Sequence, residues 1–138
     1  HSSLTNQGIC PSGWHIPTDE EWMILEGAVD SLYNYPDPIW QQTGFRGSNV
    51  CQKLKSTNGW TAGNGTDEFG FKALPAGMRD HDASGADFFN LGDIAHFWSS
   101  TDYFVAYAKE RQLWGIFDNT YRGNEVGGMG YSVRCVKD

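Results

Sequence analysis

The residues in this sequence that could do chemistry are few and scattered. Cys10, Cys51 and Cys135 form no C-x-x-C pair of the kind that holds zinc or cycles between thiol and disulfide, and an odd count leaves at least one thiol without an internal partner. His15, His81 and His96 stand apart, with no spacing that would aim two imidazoles at one metal. No G-x-S-x-G elbow presents a serine, and no glycine-rich phosphate loop precedes a helical pattern. His15, set between Trp14 and Ile16, is expected to be a hydrogen-bonded, partly buried ring and not an acid or base. The sequence therefore predicts a domain that is not an enzyme, since function must be argued from a site.

Two oxygen-rich stretches could in principle hold a cation. Asp80-His81-Asp82-Ala83-Ser84-Gly85-Ala86-Asp87 places carboxylates at alternate positions before a glycine, like the first half of a calcium loop. The second half fails, because the twelfth position from Asp80 is Leu91 and not a bidentate glutamate. Asp80, Asp82 and Asp87 are thus the calcium candidates, and no other cofactor is expected. Asn64 and Asp67 form a second oxygen cluster whose simpler reading is side-chain hydrogen bonding that braces a loop.

A richer surface lies between Asp102 and Met129. Tyr103, Phe104, Trp114, Phe117, Tyr121 and Arg122 stand there among glycines and polar residues, including Asp118 and Asn119. Rigid aromatic anchors mixed with adaptable polar groups are the composition of binding surfaces, so these eight residues are the candidate ligand-binding set. Leu113 and alternate residues of each strand are expected to point inward, and Trp60 and Trp98 to belong to the core.

The elements that must position these residues follow from the rest of the chain. At 138 residues, with 39% hydrophobic and 20% charged residues, the chain supports one globular core. No apolar run approaches the roughly 20 residues of a membrane span. A net charge of −7 repels phosphate backbones, so nucleic acid is not an expected partner. His1-Ser2-Ser3 looks like a tag remnant, so residues 1–9 are read as an N-terminal extension and 10–138 as a single domain.

Thr18-Asp19-Glu20-Glu21 has the form of a capping box and predicts a helix that docks through Trp22, Leu25 and Val29. Val50, Cys51 and Leu54 predict a second helix over about 48–55 with Cys51 in the core. Two Asn-Gly pairs between Ser56 and Gly70 predict successive turns. The last third reads as strands, with Val105 and Tyr107 on one face and a final strand over 131–136. Two early helices before a mainly antiparallel, loop-rich sheet make an α+β fold.

Cys10-Pro11-Ser12-Gly13-Trp14-His15-Ile16-Pro17-Thr18-Asp19-Glu20-Glu21-Trp22 resembles the opening of the Fibrobacter succinogenes major paralogous domain family, found in Bacteroidetes surface proteins and lipoproteins. Lys55-Ser56-Thr57-Asn58-Gly59-Trp60, Asn64 to Phe71, Leu74-Pro75-Ala76-Gly77, Phe97 to Thr101 and Ser132 to Asp138 resemble its later motifs in the same order. The opening is also similar to that of formylglycine-generating-enzyme-like domains, which implies a C-type-lectin-like fold. In such folds the first and last strands meet, which would bring Cys10 beside Cys135 and make a disulfide reasonable while Cys51 stays a buried thiol.

The resemblance further implies a cell-surface or secreted bacterial protein that binds a protein or glycan ligand. Domains of this family sometimes serve as variable proteins of diversity-generating retroelements, whose adenine-directed changes fall before the final Ser-Val-Arg-Cys-Val motif. Such changes could reach Tyr103, Phe104, Gly115, Ile116, Phe117, Asp118, Asn119 and Tyr121, but not Lys109, Glu110, Gln112, Trp114 or Met129. A structural or adhesive unit of a larger surface protein is the first alternative, and a metal-dependent enzyme of the formylglycine-generating type the second. The copper-holding cysteine pair of those enzymes is here reduced to Cys135, and the sugar-binding motifs of calcium-dependent lectins are missing.

Overall fold

The computed structural model describes residues 7–81 and 87–138. Its first element, β1 (Trp14–His15), leads into helix α1 (Asp19–Val29), which begins where the capping box predicts. The Thr18 hydroxyl accepts from the Glu21 amide at 3.1 Å, and the Glu21 carboxylate accepts from the Thr18 amide at 2.8 Å, so two orphan donors of the first turn are satisfied. A short 3-10 helix (Pro38–Gln41), β2 (Gly44–Arg46) and α2 (Val50–Leu54) follow, then β3 (Met78–Arg79) and β4 (Phe88–Phe89). The main strands are β5 (Ile94–Phe104), β6 (Tyr107–Trp114) and β7 (Thr120–Val126), and β8 (Val136–Lys137) ends the chain.

This is the expected α+β arrangement. Its largest sheet is antiparallel in the order β2-β7-β6-β5, while β1-β8 and β3-β4 form two small ribbons. Trp22, Trp40, Val50, Cys51, Leu54, Phe97 and Leu113 fill the core between the helices and the inner face of that sheet. Trp22 packs its ring 5.5 Å from Phe97, and Trp60 is buried as expected.

Several local expectations need correction. Helix α2 is five residues long, shorter than 48–55: the Ser48 and Asn49 amides donate to Asp30 Oδ2 at 2.7 and 3.1 Å outside the helix, Lys55 is already extended, and the Asp118 carbonyl accepts from the first-turn amides of Cys51 and Gln52. Val105 and Tyr107 do not share a strand face. The β5–β6 hairpin turns at Val105 and Ala106, and Ala106 takes a left-handed φ of 65° that its sequence does not announce. The final strand over 131–136 shrinks to Val136–Lys137, with Ser132 reached earlier by a single parallel bridge to Phe97.

The chain ends meet as the resemblance implies. Trp14 pairs with Lys137 and His15 with Val136, and Cys10 is disulfide-bonded to Cys135 with 5.8 Å between Cα atoms. Cys51 is the free cysteine, fully buried, and burial pushes its thiol up to about 12.

A second, polar layer lies beneath α1. Strand alternation turns Arg46, Arg111, Thr120 and Arg122 toward the helix, where Glu26 and Asp19 meet them. Glu26 accepts from Arg46 at 2.6 Å, Arg111 at 3.0 Å and the Thr120 hydroxyl at 3.0 Å. Asp19 accepts from Arg111 at 2.8 Å and from Arg122 at 3.0 and 2.7 Å. Burial would raise the Asp19 carboxyl, but the Arg122 hydrogen bonds and the Arg111 charge outweigh it and bring it to about 2. A depressed carboxyl stabilises the fold fully above its ordinary pKa, and this contribution is lost as pH falls toward 2.

Candidate functional site

The face of the sheet opposite α1 carries a different set of side chains. Register places Phe45 beside Tyr121, Tyr121 beside Gln112, and Gln112 beside His96, so one row crosses all four strands. Around Phe45 the rings of Phe117, Tyr121 and Trp114 lie with centroids 4.7, 5.2 and 5.5 Å away, mostly edge to face. Phe45 is 40% exposed and Phe117 39%, so the cluster is a surface and not a core.

Polar contacts hold these rings in place. The Trp114 indole N–H donates to Gln112 Oε1 at 2.8 Å, and Gln112 Nε2 donates to Glu110 Oε1 at 2.8 Å. This ladder fixes the Trp114 ring from below. The turn after β6 is pinned by Lys55, whose buried ammonium donates to the carbonyls of Trp114 at 3.3 Å, Gly115 at 3.0 Å and Phe117 at 3.4 Å. Close packing tightens the same turn: a Cβ at Gly63 would sit 1.9 Å from the Gly115 carbonyl oxygen. The surface is therefore preorganised, which reduces the ordering cost of binding.

The eight expected ligand-binding residues divide into three groups. Trp114, Phe117 and Tyr121 come together at this face, and Asp118 and Asn119 lie in the turn between β6 and β7, where the Asp118 carbonyl faces α2. Tyr103 and Phe104 do not, since they lie at the far end of the β5–β6 hairpin, about 24 Å along β6 at roughly 3.4 Å per residue. Arg122 is turned inward by β7 alternation and committed to Asp19, so it is not the surface contact expected of it. Phe45, Gln112 and Lys55, which build or support the cluster, are not among the eight. Only the proximity of Phe45 to an aromatic strand could have flagged it, and proximity is not visible in sequence.

The cation candidates are less developed. The Asp80 amide donates to the Asp87 carbonyl at 3.0 Å across the β3–β4 ribbon, and Asp80 Oδ1 lies 3.2 Å from His81 Nδ1. Asp82 lies outside the described residues. Among those described, no group of three or more His, Cys, Asp or Glu side chains is placed to hold a metal ion. Asn64 and Asp67 brace their loop, accepting from the amides of Trp60 at 3.1 Å and Lys72 at 2.8 Å.

His15 is a structural ring. Its Nδ1 lies 2.6 Å from Asp138 Oδ1 and its Nε2 2.8 Å from Glu21 Oε1, and two carboxylate partners require both nitrogens to donate. The Asp138 and Glu21 hydrogen bonds raise the imidazole pKa above its ordinary value, against a smaller opposing effect of burial. A raised folded-state pKa stabilises fully below about 6.5, and that stability is lost as pH rises through the folded value. Chemical denaturation from pH 5.5 to 8.5 should show this decline, and His15→Gln should flatten it. An unchanged slope in the variant would contradict the assignment.

A disulfide-closed α+β domain with a rigid, aromatic outer sheet face is the class of protein that this fold and site define. The chain belongs to the Fibrobacter succinogenes major domain family, whose model matches residues 2–137. No curated protein and no solved structure matches it significantly.

Proposed function

We propose that this domain is a non-catalytic binding module of a bacterial surface or secreted protein, and that it holds a protein or glycan ligand on the face built by Phe45, Trp114, Phe117 and Tyr121. The observation that carries this reading is the fixed, partly exposed aromatic cluster around Phe45 at the β2–β7 end of the outer sheet face, which Tyr131 covers only at the β5 end, over His96 and Trp98. Exposed aromatics held rigid by second-layer hydrogen bonds are costly to leave in water and effective as anchors. A C-type-lectin-like relation of the fold and an exported location are parts of the same reading, and the Cys10–Cys135 disulfide supports export because such bonds rarely persist in the cytosol.

Adenine-directed diversification fits the same face as a finer reading. Gly115 to Asn119 and Tyr121, all reachable by such changes, make up the pinned turn and its flank, whereas the supporting Gln112 and Trp114 are not reachable. A reverse transcriptase gene beside a near-copy of the coding segment would support it.

Binding is tested by exposing the chain to arrays of glycans and of host and phage surface proteins. Trp114→Ala, Phe117→Ala and Tyr121→Ala should each weaken the strongest interaction about tenfold or more while the unfolding midpoint shows the variants folded. Undiminished binding by all three would remove this face as the site.

A further inference from the structure

We infer that copies of this chain associate, the β5–β6 hairpin tip of one seating in the apolar groove beside α1 of another. The tip carries Val105, at 81% the most exposed large hydrophobic side chain among the described residues, beside Phe104 at 71% and exposed Tyr103 and Tyr107. It is also firmly shaped, because the Gly127 amide donates to the Ala106 carbonyl at 2.7 Å and braces the turn from the end of β7. The groove is a separate feature, about 580 Å³, between α1 and β8. Trp14, Ile24, Leu25, Phe71 and Val136 give it apolar walls, and it lies in the size range of clefts that accept side-chain-sized groups.

Charge complementarity favours a second copy as the occupant. Arg134, its guanidinium 4.6 Å over the Phe71 ring, and Lys137 outnumber Glu21 in the lining of the groove, although the chain as a whole is strongly acidic. At the root of the tip the carboxylates of Asp102 and Glu125 outnumber Lys109, whose ammonium lies 4.3 Å over the Tyr103 ring. A projecting apolar tip with a net negative root thus meets a recessed apolar groove with a net positive lining. One docking event covers two exposed apolar patches, each of which costs free energy in water. Tip and groove are different surfaces, so the contact is heterologous and each copy keeps one of each free for the next.

This proposal is independent of the outer-face reading, because neither surface includes Phe45, Trp114, Phe117 or Tyr121. The test is light scattering of the chain over a wide concentration range, with Val105→Asp as the tip variant and Ile24→Asp, at a 46% exposed helix position, as the groove variant. Wild type should form assemblies that grow with concentration, and each variant alone should self-associate more than about tenfold more weakly. Mixed together, the variants retain one intact tip and one intact groove, and should form a one-to-one pair and nothing larger. Phe117→Ala should assemble as wild type does. If Ile24→Asp unfolds by circular dichroism, Trp14→Ala takes its place. The proposal is overturned if wild type stays monomeric throughout, if either folded variant assembles normally, or if the folded variants fail to pair. Flotation of wild type but not Val105→Asp with phosphatidylcholine vesicles would also overturn it, reassigning the tip to a lipid surface.

Discussion

Glu26→Ala is expected to cost about 3–5 kcal/mol, a large share of the roughly 5–15 kcal/mol that holds a domain of this size together. Glu26 is 1% exposed and is the shared acceptor for Arg46, Arg111 and Thr120, which come from β2, β6 and β7. Removing it leaves two buried guanidinium groups facing each other with only Asp19 nearby. The cluster already holds three arginines against two carboxylates, so no spare anion can take over. Burial first, and then the neighbouring Arg111 and Arg122 charges, lower Arg46 to about 10 despite the Glu26 charge and hydrogen bond. Urea unfolding of the variant at neutral pH measures the effect. A loss under about 1 kcal/mol would mean that the cluster is hydrated or rearranges.

Loss of the Cys10–Cys135 disulfide is expected to destabilise the domain by about 2–5 kcal/mol. The bond closes a separation of 125 residues, so it constrains nearly the whole unfolded chain. It also clamps the β1–β8 ribbon, which at two residues per strand has little cohesion of its own. Unfolding midpoints of the chain before and after reduction, and of Cys10→Ser with Cys135→Ser, should shift down together. Non-reduced peptide mapping should link the Cys10 peptide to the Cys135 peptide and leave Cys51 as a thiol. A link from Cys51 to either would contradict the fold, since Cys51 is fully buried on the inner side of α2.

Where a local chemical rule and the global fold agree, the sequence was legible. Thr18 and Glu21 name the start of α1 because capping needs only four consecutive residues, and Trp22 marks the docking face by helical spacing. The closure of the chain ends came instead through family resemblance, since residues 125 positions apart carry no local signal. The failures share a cause. Arg122 looked like a surface residue because arginines usually are, and only the tertiary approach of Asp19 gives it a buried partner. Phe45 belongs to a three-residue edge strand too short to show a period, yet it sits at the centre of the aromatic cluster. Val105 and Ala106 lack the glycine or asparagine that marks a hairpin turn, so by sequence the turn is indistinguishable from strand.

The outer sheet face can be tested directly by its footprint. Amide hydrogen exchange of the chain, alone and saturated with the strongest-binding member of the glycan and protein arrays, maps where that ligand lies. Binding at the aromatic face predicts slowed exchange over 44–46 and 114–121, with the hairpin tip at 103–107 unchanged at concentrations where the chain is monomeric. Protection confined to the tip or to the groove beside α1, with 44–46 and 114–121 unaffected, would contradict the account.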